Sequence, residues 1–318
     1  MSKPLGPLRF EPFLRPMVWG GRDLGARLRK SLPTPEPYGE SWEVSDHALH
    51  RSVVADGPWK GTSLRQLMQQ QREALLGPVA SRFETFPWLI KFLDCCDWLS
   101  VQVHPDAQAV KTLWPGEGSK TEAWYVIGAK PTSRIYAGLR PGVGPQEMRA
   151  ALARGAVEEC LHSFVPQPGD CVFLRAGTVH AVGGGVLMAE IQETSDATFR
   201  LFDWNRVDSQ GKSRKLHIEE SFAAIHWDYG PVQPIRKQES RAVLVRCDQF
   251  IIEHLSATGS IQLGGIGKVQ AVIILNGQAR WQTGEAVATG QVWILPAALP
   301  AIDLNLTSRL NAVIATLP

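Results

Sequence analysis

The sequence predicts a mainly β protein: two related sandwich or barrel modules with a few short helices. Three observations carry that expectation. Much of the 318-residue chain falls into short apolar segments punctuated by Gly, Pro and Asn, the pattern of many short strands joined by turns. No G-x-G-x-x-G opens a helix after a strand, which disfavours a nucleotide-binding α/β fold. Residues 169–180, GDCVFLRAGTVH, align without a gap with residues 290–301, GQVWILPAALPA, sharing the Gly, the apolar run and the Ala after Arg175 or Pro296. Such a match suggests two copies of one module, although a Gly before an apolar strand also recurs by chance. His180 falls opposite Ala301, so the second copy would keep the scaffold and lack the polar site.

Length and charge narrow the class. A chain of 318 residues is of two-domain size and can bury a core without staples. Lys plus Arg is 33 against 31 for Asp plus Glu, a net charge of +2 that gives no electrostatic case for nucleic acid or a membrane surface. Apolar runs are too short to span a bilayer, and Arg9, Glu11, Arg15, Arg22 and Asp23 interrupt any signal-peptide core. The five cysteines, at 95, 96, 160, 171 and 247, are odd in number and lack C-x-x-C spacing, which reads as reduced thiols in a cytoplasmic protein.

Along the chain, Leu64, Leu67, Met68 and Leu75 recur at helical spacing after Ser63, and Gly77-Pro78 stops the segment. A second helix is expected over Pro105 to Leu113. Two short ones, split at Gly155, are expected from Pro145 to Phe164, and a fourth helical segment from Leu216 to Ile225. Trp124–Ile127, Arg134–Ala137, Asp170–Leu174, Val186–Gln192 and Thr198–Phe202 read as strands. From Arg241 onward the pattern is wholly strand and turn, marked by Gly264-Gly265, Asn276-Gly277, Thr283-Gly284 and Thr289-Gly290.

A polar constellation interrupts these strands. In Ser100 to Pro105, alternation puts Gln102 and His104 on one face, about 6.6 Å apart along the backbone, opposite Val101 and Val103. Lys120 and Glu122 share a face at the mouth of an apolar strand, and a Glu turned into a sandwich is costly unless paired or bound to a metal. His180 sits among small residues that let a ligand approach, and Glu190 and Gln192 share one face of the next strand. Each member alone also fits an ordinary hydrogen-bonded His or surface Glu. Together, two His, one Glu and a Gln form a nitrogen and oxygen donor set suited to Zn²⁺, with Fe²⁺, Mn²⁺ or Co²⁺ as alternatives.

The segments Phe86 to Asp94, Leu99 to Asp106, Lys120 to Tyr125, Ala176 to Ala181 and Glu190 to Asp196, continuing through Arg200 to Trp204, resemble type I mannose-6-phosphate isomerases in their short bacterial form. Trp19-Gly20-Gly21 and Gly39 to Glu43 match as well. The resemblance covers roughly residues 9–230 and extends beyond only in strand pattern. It implies a zinc-dependent cupin fold, a double-stranded β-helix occurring twice. On that reading residues 1–235 form the metal-binding catalytic module and 236–318 a degenerate module without a metal. His104, Glu122 and His180 are implied as ligands of one Zn²⁺ per chain, with Gln102 as a fourth. Arg200 and Lys120 stand at catalytic positions, and Asp196, Glu190 and Trp19 are expected at the substrate. The family usually carries Pro where this chain has Arg175, and long-form members carry His where it has Ser119.

The implied reaction interconverts mannose 6-phosphate and fructose 6-phosphate by moving a proton between C1 and C2 through an enediol. Arg200 suits stabilisation of the enediolate, being permanently charged. The base stays open among Lys120, Glu190 and a zinc-bound water. A phosphosugar is the expected partner, with neither nucleic acid nor membrane, and a monomer or homodimer. A non-haem iron oxygenase shares the two-His-one-carboxylate set, and a non-catalytic sugar-binding cupin shares the fold. His47, His50, His162, His217 and His226 read as surface or capping residues, and Cys95-Cys96 as buried packing. Trp42 and Trp124 fit either core or sugar site.

Overall fold

Period-two alternation sorts the long strands onto opposite faces, and those faces stack four sheets. The structure is a computed structural model, described here over residues 4–207 and 211–318. Sheet I is six-stranded, in the order Cys171–Leu174, Glu122–Ala129, Val186–Glu193, Trp88–Cys95, Tyr38–Val44, Phe13–Gly21. Sheet II holds Leu161–Phe164, Arg134–Leu139, His180–Gly183, Val101–Val103 and Phe199–Phe202. Sheet III runs Leu8–Arg9, Val292–Leu295, Gln270–Asn276, Leu310–Thr316, Ile251–Ala257, Arg241–Arg246, and sheet IV pairs four short strands between Ser260 and Leu306. All named pairings are antiparallel.

The stacking follows from side-chain chemistry. On Trp88–Cys95, Trp88, Ile90 and Phe92 face sheet III, where they meet Ile252, Ile273, Ile294 and Val313. Leu93 and Cys95, on the opposite face, join Trp124, Val126 and Met188 against Ile135, Ala137 and Val182 of sheet II. Val272, Ile274, Trp293 and Leu295 close the sandwich of sheets III and IV with Trp281 and Leu304. The outer face of sheet II, with Val101, Val103, Val179 and Leu201, is covered by Met148, Ala151 and Ala224 of two helices. Each such fully buried side chain stabilises the fold by roughly 1.5–3 kcal/mol relative to exposure. Leu8–Arg9 pairs with Trp293 and Ile294, so the start of the described chain belongs to the sheet built from its end.

The two aligned segments adopt the same local structure. Gly169 and Gly290 both take positive φ, 94° and 82°, before the strands Cys171–Leu174 and Val292–Leu295. Each strand ends in a matching turn, with Thr178 N donating to Arg175 O at 3.0 Å and Leu299 N to Pro296 O at 2.9 Å.

After a short helix at Asp23–Ala26 that the sequence did not announce, the first expected helix covers Leu64–Leu76, where Ser63 and Gln66 form a capping box and Gly77, at φ 71°, stops it. The other helical expectations are trimmed. Over Pro105–Leu113 only Ala109–Leu113 is helical, because Asp106 Oδ1 accepts from Gln108 N and Ala109 N and holds the preceding residues in a turn. After Pro145–Arg154 and the left-handed Gly155, a single 3₁₀ turn, Val157–Cys160, leads into strand Leu161–Phe164, which pairs with Arg134–Leu139. Strand pairing there overrides the helical spacing. The last helix is Ile218–Ala224, since His217 is committed to the Arg200 backbone through two hydrogen bonds. Cys95 is buried, but Cys96 is exposed where the strand gives way to a bend; all five thiols are free. No helix of the described residues is long and apolar enough to cross a membrane.

Candidate functional site

Sheet I and sheet II each turn one polar row into the space between them. On sheet I, Gln192 lies opposite Glu122, and Glu190 lies between Lys91 and Trp124. On sheet II, Arg200, Gln102 and His180 are successive register partners. His104 follows directly on Val101–Val103, and Gly177 N donates to its carbonyl at 2.7 Å, tying the turn before His180 to it. The rows converge so that ligand atoms of His104, Glu122 and His180 all lie within 4.8 Å of one another. Nε2 of His104 is 3.3 Å from Glu122 Oε2, and Nε2 of His180 is 3.4 Å from Glu122 Oε1.

The hydrogen-bonding of the imidazoles fixes what they offer. His104 Nδ1 lies 2.8 Å from Ala197 O and His180 Nδ1 lies 2.9 Å from Thr178 O. A carbonyl only accepts, so each Nδ1 carries the proton and each Nε2 turns a lone pair toward Glu122. Burial, with Lys120 nearby, lowers the pKa of His104, and burial pushes His180 down to about 3, so both rings are neutral near pH 7. Burial alone would raise Glu122, but the Lys120 ammonium beside it holds it well below the usual carboxylate range. Although Glu122 is fully buried, neither of its oxygens accepts a hydrogen bond. Two neutral imidazoles and an ionised, under-satisfied carboxylate aimed at one point fit a divalent cation, and the donor set suits Zn²⁺. Gln102 places its amide nitrogen 3.2 Å from His180 Nε2, and a half-turn of the amide brings the ligating Oε1 to the same position.

Lys120 is the nearest cation, 4% exposed, with Nζ 3.0 Å from both Glu122 Oε2 and His104 Nε2. Beyond it opens a cleft of about 290 Å³ lined by Trp19, Gln102, Lys120, Glu190, Asp196 and Arg200 among others. Glu190 pairs with Lys91 at 3.3 Å and accepts from Trp124 Nε1 at 3.1 Å. Trp19 is buried in the cleft wall, and Asp196 is half-exposed, its backbone N–H turned to Glu117 Oε2. Arg200 Nη1 donates to Lys215 O at 2.8 Å. The structure therefore brings every site residue expected from sequence to one cleft or to the cluster at its floor.

Other cleft residues escaped sequence reasoning. Lys91 is the cation inside an apolar strand, and burial, which opposes its charge, is outweighed by Glu190 and other carboxylates, so its pKa rises. Its inward position on an alternating strand was the available signal. Arg15 pairs with Glu40 at the rim, and Arg214 and His217 line the wall beside Arg200. His217 stands at the N-cap of the helix Ile218–Ala224, as expected, but its side chain makes no cap bond and lines the cleft instead. His47 is likewise buried, not surface, and lies 3.1 Å from Glu117 Oε1. Trp42 and Trp124 are core residues by burial, though Trp124 also meets His180 edge-on at 5.3 Å. Arg175 is exposed and stacks on Tyr229 at 4.1 Å, leaving the turn before His180 intact. Ser119 donates to Glu193 Oε1 at 2.8 Å.

Residues 8–125 match the profile of phosphomannose isomerase type I, catalytic domain. A mannose-6-phosphate isomerase of Streptococcus mutans is 35% identical over 297 residues, covering 91% of this chain and 92% of the relative. The crystal structure of the mannose 6-phosphate isomerase of Bacillus subtilis superposes with a TM-score of 0.88 at 28% identity, over 99% of this chain and all of the other. A zinc-bound mannose 6-phosphate isomerase, 16% identical, shares the fold with a TM-score of 0.77 over 99% of this chain and 100% of that one.

Proposed function

The chain belongs to the type I phosphomannose isomerase family, and from that membership we propose that it interconverts D-mannose 6-phosphate and D-fructose 6-phosphate using one Zn²⁺ per chain. The observation that carries the metal reading is the convergence of His104, Glu122 and His180, with Glu122 Oε1 meeting neither a hydrogen-bond donor nor a Lys or Arg side chain. These three residues would hold the ion, with Gln102 as a fourth donor, and the bound ion would supply a Lewis acid for the sugar carbonyl. Module 1–235 is assigned the chemistry and module 236–318 a structural role. The unpaired cysteines suit a reducing compartment, in keeping with a cytoplasmic enzyme.

The protein's own residues divide the remaining work. Proton transfer between C1 and C2 needs a group that both accepts and returns a proton at the reacting carbons. Lys120, buried against the metal cluster at the cleft floor, is assigned that shuttle. Arg200 holds the negative charge of the enediolate without losing its proton. Glu190, fixed by Lys91 and Trp124, and Asp196 accept hydrogen bonds from sugar hydroxyls, and Trp19 provides an apolar wall. A coupled assay on purified protein, before and after chelation and again after zinc restoration, tests this reading. Loss and recovery of mannose 6-phosphate turnover are expected, and oxygen uptake instead of isomerisation would point to an oxygenase.

A further inference from the structure

On the Arg200 side of the cleft, three guanidinium groups crowd around one buried carboxylate. Asp203 Oδ1 accepts from Arg206 Nη2 at 2.6 Å and Arg214 Nη2 at 2.5 Å, and Oδ2 accepts from Arg214 Nε at 2.8 Å. Arg206 also reaches the exposed Asp97 at 3.6 Å. Arg200 makes no ion pair among the described residues, and its buried Nε finds no acceptor. Burial, then Arg214 and Arg206, lower the pKa of Arg200, as expected of cations facing one another.

The other cleft cations are each matched. Arg15 pairs with Glu40, Lys91 with Glu190, and Lys120 with Glu122. Among the described residues, the one buried carboxylate of Asp203 serves both Arg206 and Arg214 while Arg200 has no ion-pair partner, so positive charge is in excess on this side of the cleft. His217 lies beside Arg200 and Arg214: its Nδ1 accepts from Arg200 N at 3.2 Å, so the neutral ring carries its proton on Nε2 as a further donor. In register, Arg200 is one strand from Gln102 and two from His180, about 10 Å, the scale of an open-chain hexose phosphate.

We propose that Arg214 is the anchor for the phosphate monoester of the substrate, that Asp203 is the positioning residue that aims it, and that His217 adds a donor. The assignment rests on the isomerase reading for its ligand. A guanidinium already fixed along one edge by a buried carboxylate loses little freedom on binding, and it presents its remaining N–H groups to a dianion.

Inhibition by inorganic phosphate and steady-state kinetics with mannose 6-phosphate test it. Arg214→Gln should raise both the inhibition constant for inorganic phosphate and KM by about 10- to 100-fold. Zinc content should stay at the wild-type value, and Arg214→Lys should recover part of the loss. Asp203→Asn should shift the same constants less, and add little once Arg214 is already Gln. An Arg214→Gln enzyme with unchanged KM and phosphate inhibition, or with loss confined to kcat, overturns the assignment. Should the wild type show no isomerase turnover, the isomerase reading fails by itself. Equilibrium dialysis of inorganic phosphate against wild type and Arg214→Gln then still decides the site: equal binding overturns it, and weaker binding by the variant supports it.

Discussion

Replacing Glu122 by Gln keeps the shape of the side chain and removes its charge, and two effects should follow. In metal-free protein the first concerns Lys120, which is 4% exposed with Nζ 3.0 Å from Glu122 Oε2. At an effective dielectric near 20, unit charges at that distance attract by about 5–6 kcal/mol. Desolvation offsets much of this, but removing one partner strands the other charge in the interior, at a cost of about 3–5 kcal/mol. With a urea m-value of about 3 kcal/mol/M, the midpoint of the chelated variant should fall by about 1 M or more. The second effect concerns the metal. Free zinc at about 100 times its Kd should stabilise wild type by about 2.7 kcal/mol, whereas the variant, having lost the anion of its donor set, should gain little. Urea titrations of both proteins, with chelator and with buffered zinc, read both effects. A chelated variant unfolding within about 0.2 M of wild type, with zinc stabilisation undiminished, would mean that Glu122 neither balances Lys120 nor holds the metal.

Arg200→Lys keeps the charge but loses the planar fork, so kcat should fall by about 10²-fold with zinc content unchanged; turnover at the wild-type rate removes Arg200 from the mechanism. The pH response of metal-free protein should be one-sided. His104 and His180 have lowered folded pKa values, His180 about 3, so the unfolded chain takes up protons first and stability falls as pH drops from about 6.5 toward 3. Urea midpoints from pH 7.5 to 5 should decline in wild type and decline less in a His104→Asn, His180→Asn variant; parallel declines would contradict this. Gly177→Ala should destabilise by about 1–3 kcal/mol and weaken zinc binding, because φ is 88° and the added Cβ would lie 2.0 Å from His226 Cδ2. Thermal melts and zinc titration check it.

Much of the fold was legible because strand alternation leaves a strong imprint. The inward set Glu122, Trp124 and Val126 and the outward set Ala123 and Tyr125 follow from period two alone. The repeat was legible because Gly169 and Gly290 each open a strand from a positive-φ turn. Helix limits were less so. His217 drops out of its helix through a bond to Arg200, and Leu161–Phe164 becomes a strand through pairing with a distant partner. Neither contact is encoded locally.

The site divides in the same way. His104, Glu122 and His180 stand out since each is a ligating side chain facing inward from an apolar strand or strand end. Lys91 lies on such a strand too, but a lysine there reads equally as a defect until Glu190 is seen opposite it. Arg214 gives no local signal: its place in the cleft depends on Asp203, eleven residues earlier, whose carboxylate is buried by tertiary packing.

On the proposed function, one ion gripped by imidazoles 104 and 180 and carboxylate 122 makes the enzyme active. Metal analysis coupled to turnover, on rigorously demetallated protein titrated with zinc, tests it most directly. Activity absent at zero metal and restored at one equivalent per chain, with no restoration in a His104→Asn, Glu122→Gln, His180→Asn variant, is the predicted result. Full turnover without metal, or a full equivalent of zinc retained by that triple variant, would contradict it.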